Sequence, residues 1–127
     1  MVKGRCDCGA VKFEVDVVRE TVTVCHCRQC RRTSGHVWAS TKAKFDAVIF
    51  SSDHGLEWYE SSGFAKRGFC RNCGSSLFYR MNNEDGVGIS AGCLETPTNL
   101  RIGKHIFCKD KGDYYEISDG AAQIDKY

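Results

Sequence analysis

Seven of the nine cysteines stand in three tight clusters. The clusters are Cys6 with Cys8, then Cys25, Cys27 and Cys30, and finally Cys70 with Cys73. Two cysteines separated by two residues can bring both sulfurs to one metal ion from a single turn, as in zinc knuckles. Seven sulfurs fill one site of four ligands and one of three, and only a three-ligand site leaves room for a substrate. The spacing therefore predicts one structural zinc site and one that can do chemistry.

The four-ligand site is predicted to join Cys6 and Cys8 to Cys70 and Cys73. Zinc commonly links distant parts of a chain by joining one two-ligand turn to another. Gly9, directly after the first pair, is compatible with the sharp turn that this spacing requires. The link would close a loop of roughly sixty residues and so restrict the unfolded chain.

The remaining trio, Cys25, Cys27 and Cys30, can face one ion without help from the rest of the chain. Three thiolates give a bound Zn²⁺ a formal charge of −1, which makes it a weak Lewis acid for ionising water. Zinc is nevertheless thiophilic and can hold an added thiol as its thiolate at neutral pH. The trio is therefore predicted to be catalytic and to carry out sulfur chemistry.

Composition excludes several other classes of function. The chain has 127 residues, typical of one domain, and its 18 basic and 16 acidic side chains give a net charge of +2. That balance disfavours nucleic acid or an anionic membrane as a partner. No apolar run is long enough to span a membrane, and the first five residues lack a hydrophobic signal core. We expect a cytoplasmic protein, whose clustered cysteines bind metal rather than form disulfides.

Short apolar runs predict the elements that must position these cysteines. Strands are expected at 11–17, 21–24, 36–41, 45–50, 56–60, 65–69, 77–80, 87–91 and 105–107. Turn residues at 51–55 predict that 45–50 and 56–60 form a hairpin. The strands at 65–69 and 77–80 are predicted to form a hairpin with Cys70 and Cys73 at its tip. Residues 28–34 lack apolar periodicity and predict at most one helical turn, so the chain is expected to be mainly β.

The pattern as a whole resembles the glutathione-dependent formaldehyde-activating enzyme family, to which centromere protein V is similar. The resemblance rests on segments in the family's order: Gly4 to Phe13, Cys25 to Gly35, Arg67 to Phe78, Ala91 to Leu94, and His105 with Ile106. It implies one Mss4-like, β-rich zinc-binding domain over residues 1–127. It also implies that the four-cysteine site is structural and that the trio holds the catalytic zinc.

The activity implied by the resemblance joins formaldehyde to the thiol of glutathione, giving S-(hydroxymethyl)glutathione. The enzyme is classed as a carbon–sulfur lyase after the reverse reaction. Arg31 and Arg32 are candidates to bind the glutathione carboxylates, because guanidinium pairs with carboxylate through two parallel hydrogen bonds. His105 matches a histidine of the family pattern and is a candidate substrate-binding residue. The alternatives are solvated surface arginines and a hydrogen-bonded core histidine.

Two further questions stay open at the level of sequence. Lys66 and Arg67 could add positive charge beside a thiol ligand, or could lie on an exposed strand face. The protein could also be a non-catalytic, zinc-stabilised binding module in which a fourth side chain closes the trio. Candidates for that ligand are His36, His54, His105, Cys93 and Cys108, whereas His26 is expected to point away. Isolated cysteines such as Cys93 and Cys108 are more typical of small buried hydrophobes.

Overall fold

Short strands dominate the structure, a computed structural model that describes residues 1–127. The strands are β1 (Val2–Arg5), β2 (Lys12–Val15), β3 (Thr21–Cys25), β4 (Trp38–Lys44), β5 (Ile49–Ser52), β6 (Leu56–Glu60), β7 (Ala65–Cys70), β8 (Ser76–Met81), β9 (Gly86–Ser90), β10 (Arg101–Ile106) and β11 (Ala122–Gln123). One α-helix, α1, covers Arg28–Ser34, and 3₁₀ turns cover Phe45–Ala47, Ala91–Cys93 and Cys108–Asp110. The predicted mainly β fold is confirmed.

The strands form two sheets. A three-stranded sheet has the order β1-β2-β5, and an eight-stranded sheet has the order β11-β10-β3-β4-β9-β8-β7-β6. Neighbours are antiparallel except that β10 runs parallel to both β3 and β11. The register of β3 with β10 places Cys25 opposite Ile106, and that of β3 with β4 places it opposite Trp38. The trio therefore begins at one end of the central strands of the large sheet.

One hydrophobic cluster takes members from both sheets and holds them together. Phe13 and Val15 come from the small sheet, and Phe78 and Ile89 from the large one; all four are at most 2 % exposed. The rings of Phe13 and Phe78 lie 5.2 Å apart between centroids. A Cβ at Gly4 would collide with the Phe13 ring, so β1 can approach β2 this closely only with glycine there. Burial of these apolar faces stabilises the frame on which both cysteine centres sit.

The predicted hairpin of 45–50 with 56–60 is wrong. Strand β5 pairs with β2 in the small sheet, and β6 pairs with β7 in the large one. The chain crosses between the sheets at Gly55, whose N–H donates to Ala10 O at 3.2 Å and whose carbonyl accepts from Arg71 N–H at 2.8 Å. Contacts with both cysteine turns therefore override the local turn signal.

The helix is also longer than the single turn predicted, since α1 has seven residues, about two turns. Cys27 caps its start by accepting a hydrogen bond from Cys30 N–H, and Gly35 ends it with a left-handed φ of 88°. Only Cys30 is buried along the helix, so the sequence shows no apolar stripe there. The predicted hairpin carrying Cys70 and Cys73 is confirmed, because β7 pairs antiparallel with β8.

Candidate metal centres

Four cysteines from two distant turns meet in the first centre. Cys6 and Cys8 follow β1, Cys70 ends β7, and Cys73 precedes β8; all four sulfurs lie within 4.8 Å of one another. The Sγ atoms of Cys6 and Cys8 are 3.7 Å apart, as are those of Cys8 and Cys70. The structure thus brings together the four residues that the spacing grouped.

Both turns of this centre depend on a left-handed glycine. Gly9 has a φ of 84° and donates to Cys6 O, while Gly74 has a φ of 78° and donates to Cys70 O. The left-handed conformation disfavours other residues, because a Cβ would crowd the following carbonyl. Each glycine therefore turns the chain back so that both sulfurs of its pair point to the same side.

The four sulfurs suit a tetrahedral zinc ion. A Zn–S bond of about 2.3 Å in a tetrahedral site requires sulfurs about 3.8 Å apart, close to the 3.7 Å observed. Neutral donors support the charge: Val11 N–H lies 3.3 Å from Cys6 Sγ, and the Ser75 hydroxyl 3.2 Å from Cys73 Sγ. The Ser75 hydrogen bond is the main cause that lowers the pKa of the Cys73 thiol to about 5. Ionised sulfur is the form that binds zinc.

Three cysteines form the second centre, at the junction of β3 and α1. Cys25 is the last residue of β3, Cys27 caps the helix, and Cys30 lies in its first turn. Their sulfurs all lie within 4.8 Å of one another, and no other Cys, His, Asp or Glu joins the set. The fourth-ligand candidates His36, His54, His105, Cys93 and Cys108 thus lie outside it. Three soft sulfurs at this spacing suit zinc as a ligand set.

A buried arginine faces this second centre from β7. Arg67 is only 6 % exposed, and its Nη2 lies 3.5 Å from Cys30 Sγ. Its guanidinium lies over the ring of Tyr79 at 5.0 Å and over that of Trp38 at 5.8 Å. Lys66, by contrast, is partly exposed and lies over the ring of Trp58 at 5.0 Å. Of the two sequence interpretations, positive charge beside a thiol therefore holds for Arg67 but not for Lys66.

The charges of the second centre are coupled. The hydrogen bond that Cys30 shares with Cys25 lowers the pKa of the Cys30 thiol to about 6 and raises that of Cys25. Arg67 lowers the pKa of Cys30 further, through its hydrogen bond and its charge. Burial raises the pKa of Tyr79, and the charges of the three cysteines raise it as well. Negative charge therefore concentrates on Cys30, and the Tyr79 hydroxyl stays protonated at neutral pH.

A chain of hydrogen bonds runs behind the trio. His26 is 1 % exposed; its Nε2 lies 2.9 Å from His105 Nδ1, and its Nδ1 bonds to the Tyr115 hydroxyl. His105 Nε2 lies 2.8 Å from an oxygen of Asp119. Because the carboxylate of Asp119 only accepts, His105 Nε2 carries the hydrogen and His105 Nδ1 accepts from His26. The Tyr115 O–H then donates to His26 Nδ1, so all four ring nitrogens of the two histidines have a hydrogen-bond partner.

Sequence reasoning missed Tyr115 and Asp119, and no local signal could have found them. Tyr115 lies 89 residues from His26, and Asp119 lies 14 from His105. Both ring nitrogens of His105 are engaged within the chain, the arrangement expected of a core histidine. Substrate binding by His105 stays a prediction.

The remaining candidates lie around the edge of the second centre or apart from it. Arg31 donates from Nη1 to Asp110 O at 3.0 Å, and Arg32 is exposed. Cys93 is partly buried and bonds to Ser90 O at 3.1 Å; burial raises the pKa of its thiol to about 12. Cys108 is also partly buried. These two cysteines belong to neither centre.

A cleft of about 870 Å³ lies beside the first centre. Its walls include Cys6 of the first centre with Ser75, Ser34 at the end of α1, and Trp38 at the start of β4. Trp38 closes part of it by donating from its indole N–H to the Ser76 hydroxyl at 2.9 Å. None of the trio lines this cleft.

The chain contains no helix that is both long and apolar enough to cross a membrane.

Comparison with known proteins connects this arrangement to a family. A protein of Schizosaccharomyces pombe, named an uncharacterized lyase, is 26 % identical over 122 residues, covering 92 % of this chain and 85 % of the relative. A crystal structure of a Rhodobacter sphaeroides protein is similar with a TM-score of 0.65 at 24 % identity, covering 96 % of this chain and 98 % of that one. At that identity the likeness establishes the fold alone.

The family model described as glutathione-dependent formaldehyde-activating enzyme matches residues 1–110. That span includes both cysteine centres and Arg67, and ends before Tyr115 and Asp119. With most of its length matched, this chain is a member of the glutathione-dependent formaldehyde-activating enzyme family.

Proposed function

We propose that the protein is an enzyme that makes or breaks the bond between the sulfur of a small thiol and the carbon of an aldehyde. The observation that carries the proposal is a set of three cysteines, within 4.8 Å of one another, that no fourth ligating side chain completes. The family description supports glutathione and formaldehyde as the pair, with S-(hydroxymethyl)glutathione as the product. The name of the fission yeast relative supports the class of lyase.

Zinc is the ion that this ligand set suits best. Bound by Cys25, Cys27 and Cys30, it would supply a thiophilic Lewis acid that keeps an added thiol ionised at neutral pH. The first centre, with four cysteines, would hold a structural zinc ion.

The reaction balances without any other reagent. The thiol loses its proton, its sulfur adds to the aldehyde carbon, and the carbonyl π pair moves to the oxygen, which takes up one proton. Tyr79 is a candidate hydrogen-bond donor to that oxygen, because its ring lies beside Arg67 and its hydroxyl is close enough to feel the charges of all three cysteines. In the lyase direction the phenolate form of Tyr79 would take that proton back from the adduct hydroxyl as the carbon–sulfur bond breaks.

Charged side chains near the trio would select the thiol. We propose that Arg31 and Arg32 attract the carboxylates of glutathione. Arg31 is held by its hydrogen bond to Asp110 O, whereas Arg32 is exposed. His105 would act through His26, its partner at 2.9 Å, rather than through a free nitrogen.

We infer that the protein works in the cytoplasm. All nine cysteines are free thiols in the structure, and a reducing compartment keeps clustered thiols available for metal.

The test is the rate at which glutathione and formaldehyde exchange with their adduct, measured by NMR magnetisation transfer. The adduct also forms unaided, so the zinc-loaded protein must raise the exchange rate above that of buffer. Cys27→Ser should return the rate to background, while Cys108→Ser, outside both centres, should leave it at the wild-type value. A wild-type rate equal to background would refute the enzyme and favour the non-catalytic, zinc-stabilised module.

A further inference from the structure

Arg67 is a buried cation with no carboxylate partner. It is 6 % exposed, yet it forms no ion pair with any Asp or Glu. Two of its nitrogens, Nε and Nη1, are buried without a hydrogen-bond partner. An uncompensated buried charge is strongly destabilising, so a side chain in this position needs a counter-charge close by.

Only one ionisable group accepts a hydrogen bond from the guanidinium. Arg67 Nη2 lies 3.5 Å from Cys30 Sγ and 3.5 Å from Gln29 Oε1, and the second of these groups is neutral. The amide of Gln29 is itself held by a 2.7 Å hydrogen bond from its Nε2 to Ser61 O. The counter-charge of Arg67 is therefore the sulfur centre that contains Cys30.

We propose that Arg67 is the built-in counter-ion of the trio, a positioning residue that lets the metal-loaded centre take an anionic thiol. Three thiolates and one divalent ion carry a net charge of −1, which Arg67 brings to zero. An added thiolate would then bring the net charge to −1 instead of −2. The step with the thiol rests on the proposed function, whereas the effect on metal binding does not.

The surroundings explain why an arginine is used. Its flat guanidinium lies over the rings of Tyr79 and Trp38, which attract a cation through their π faces. Arginine also presents several donors in one plane, and its Nη2 reaches both Cys30 Sγ and Gln29 Oε1, whereas a lysine would mainly supply charge. Lys66 provides a matched control, since it adjoins Arg67 in β7 but lies over Trp58 instead.

The test uses cobalt as the probe, because thiolate-bound Co²⁺ absorbs light in proportion to its thiolates. The variants are Arg67→Met, Arg67→Lys and Lys66→Met in the full chain. Cobalt affinity is measured by competition with a chromophoric chelator, and Cys27→Ser identifies the transition that belongs to the trio. The first centre in the same molecule is the internal control for folding.

Arg67→Met should weaken cobalt binding at the trio about 10- to 100-fold, the range expected for losing a hydrogen bond to a charged group. The first centre should keep its affinity, Lys66→Met should match the wild type, and Arg67→Lys should lie nearer the wild type than Arg67→Met. Glutathione added to the cobalt form should shift the trio spectrum at lower concentration in the wild type than in Arg67→Met.

Equal loss at both centres, or no loss at the trio, would overturn the proposal. So would an Arg67→Lys chain as weak as Arg67→Met, because the charge would then be irrelevant. If Arg67→Met does not fold, Arg67→Lys is compared with Lys66→Met instead. A cobalt affinity of the trio in Arg67→Lys that is more than 100-fold below that in Lys66→Met would overturn the proposal. If metal binding at the trio depends on Arg67 but the wild-type protein does not accelerate adduct exchange, the proposed function is refuted. The role of Arg67 as counter-ion would still hold.

Discussion

The two cysteine centres hold the same chemical group in opposite settings. In the first, sulfurs 62 residues apart in sequence are joined, with neutral donors around them: Val11 N–H and the Ser75 hydroxyl. In the second, three sulfurs come from one short segment, and a buried guanidinium lies beside Cys30. The first centre therefore links two distant parts of the chain, whereas the second lies within one short segment and links no distant parts.

Cys6 and Cys70 of the first centre are at least as buried as Cys30, so the two centres differ at their exposed edge rather than in overall burial. Cys8 of the first centre is exposed, so water and salt can screen the excess negative charge of four thiolates. Cys30 is 3 % exposed, and a charge there must be balanced by a group of the protein. The two centres therefore differ both in the number of their sulfur ligands and in the local counter-charge.

The largest effect is expected from breaking the first centre. Cys70 is fully buried and joins β7 to the turn after β1, so Cys70→Ser should remove metal and most of the folding free energy with it. We expect a loss of more than about 5 kcal/mol, because structural zinc sites bind with about 10–16 kcal/mol. Circular dichroism during urea titration measures this loss.

Cys27→Ser is the matched change in the second centre. It should abolish one of two bound metal ions while the urea midpoint moves little, since the trio closes no long loop. Equal destabilisation by the two substitutions would remove the distinction between the centres.

The next effect is on the order of metal release. A chelator added in steps should take the metal of the trio first, because three thiolates hold zinc less firmly than four. Native mass spectrometry would show a one-metal species before the apo chain. Simultaneous loss of both ions would mean that the centres are linked. Cys108→Ser, outside both centres, should follow the wild-type order.

Much of both centres could be predicted from sequence because their ligands are set by local spacing. Cys25, Cys27 and Cys30 need only the end of β3 and the first turn of α1. The hairpin of β7 and β8 was readable because Cys70 and Cys73 mark its tip. What failed was the partner of β5, because the local turn at 51–55 is overridden by contacts of Gly55 with Ala10 and Arg71.

The sequence left the position of Arg67 open between a thiol neighbour and an exposed strand face, and it gave no sign of the hydrogen-bonded chain at His26. A charged residue in a strand usually faces water, and nothing near Arg67 in sequence shows that three thiols lie opposite it. Tyr115 and Asp119 meet the two histidines only after the C-terminal segment folds back along β10. Such contacts depend on tertiary structure rather than on any pattern.

A smaller effect on stability is expected from breaking the hydrogen bond between Tyr115 and His26. Tyr115→Phe removes the donor to His26 Nδ1 and leaves a buried acceptor unpaired, which costs about 1–2 kcal/mol. Tyr114→Phe is the control, because Tyr114 bonds to the exposed His36. Thermal denaturation of the metal-loaded chains gives both values. If the two substitutions had the same effect, the buried chain of hydrogen bonds would contribute no more than a surface contact.

The smallest effect expected is on the choice of thiol. Arg31→Ala and Arg32→Ala should each raise the KM for glutathione about two- to fivefold, as expected for the loss of a partly exposed ion pair, and leave kcat nearly unchanged. 2-Mercaptoethanol, which has no carboxylate, is the matched substrate and should show no difference between these chains and the wild type. Because Arg31 also bonds to Asp110 O, its variant should have the larger effect. An equal rise in KM for both thiols would mean that the arginines shape the site rather than bind carboxylates.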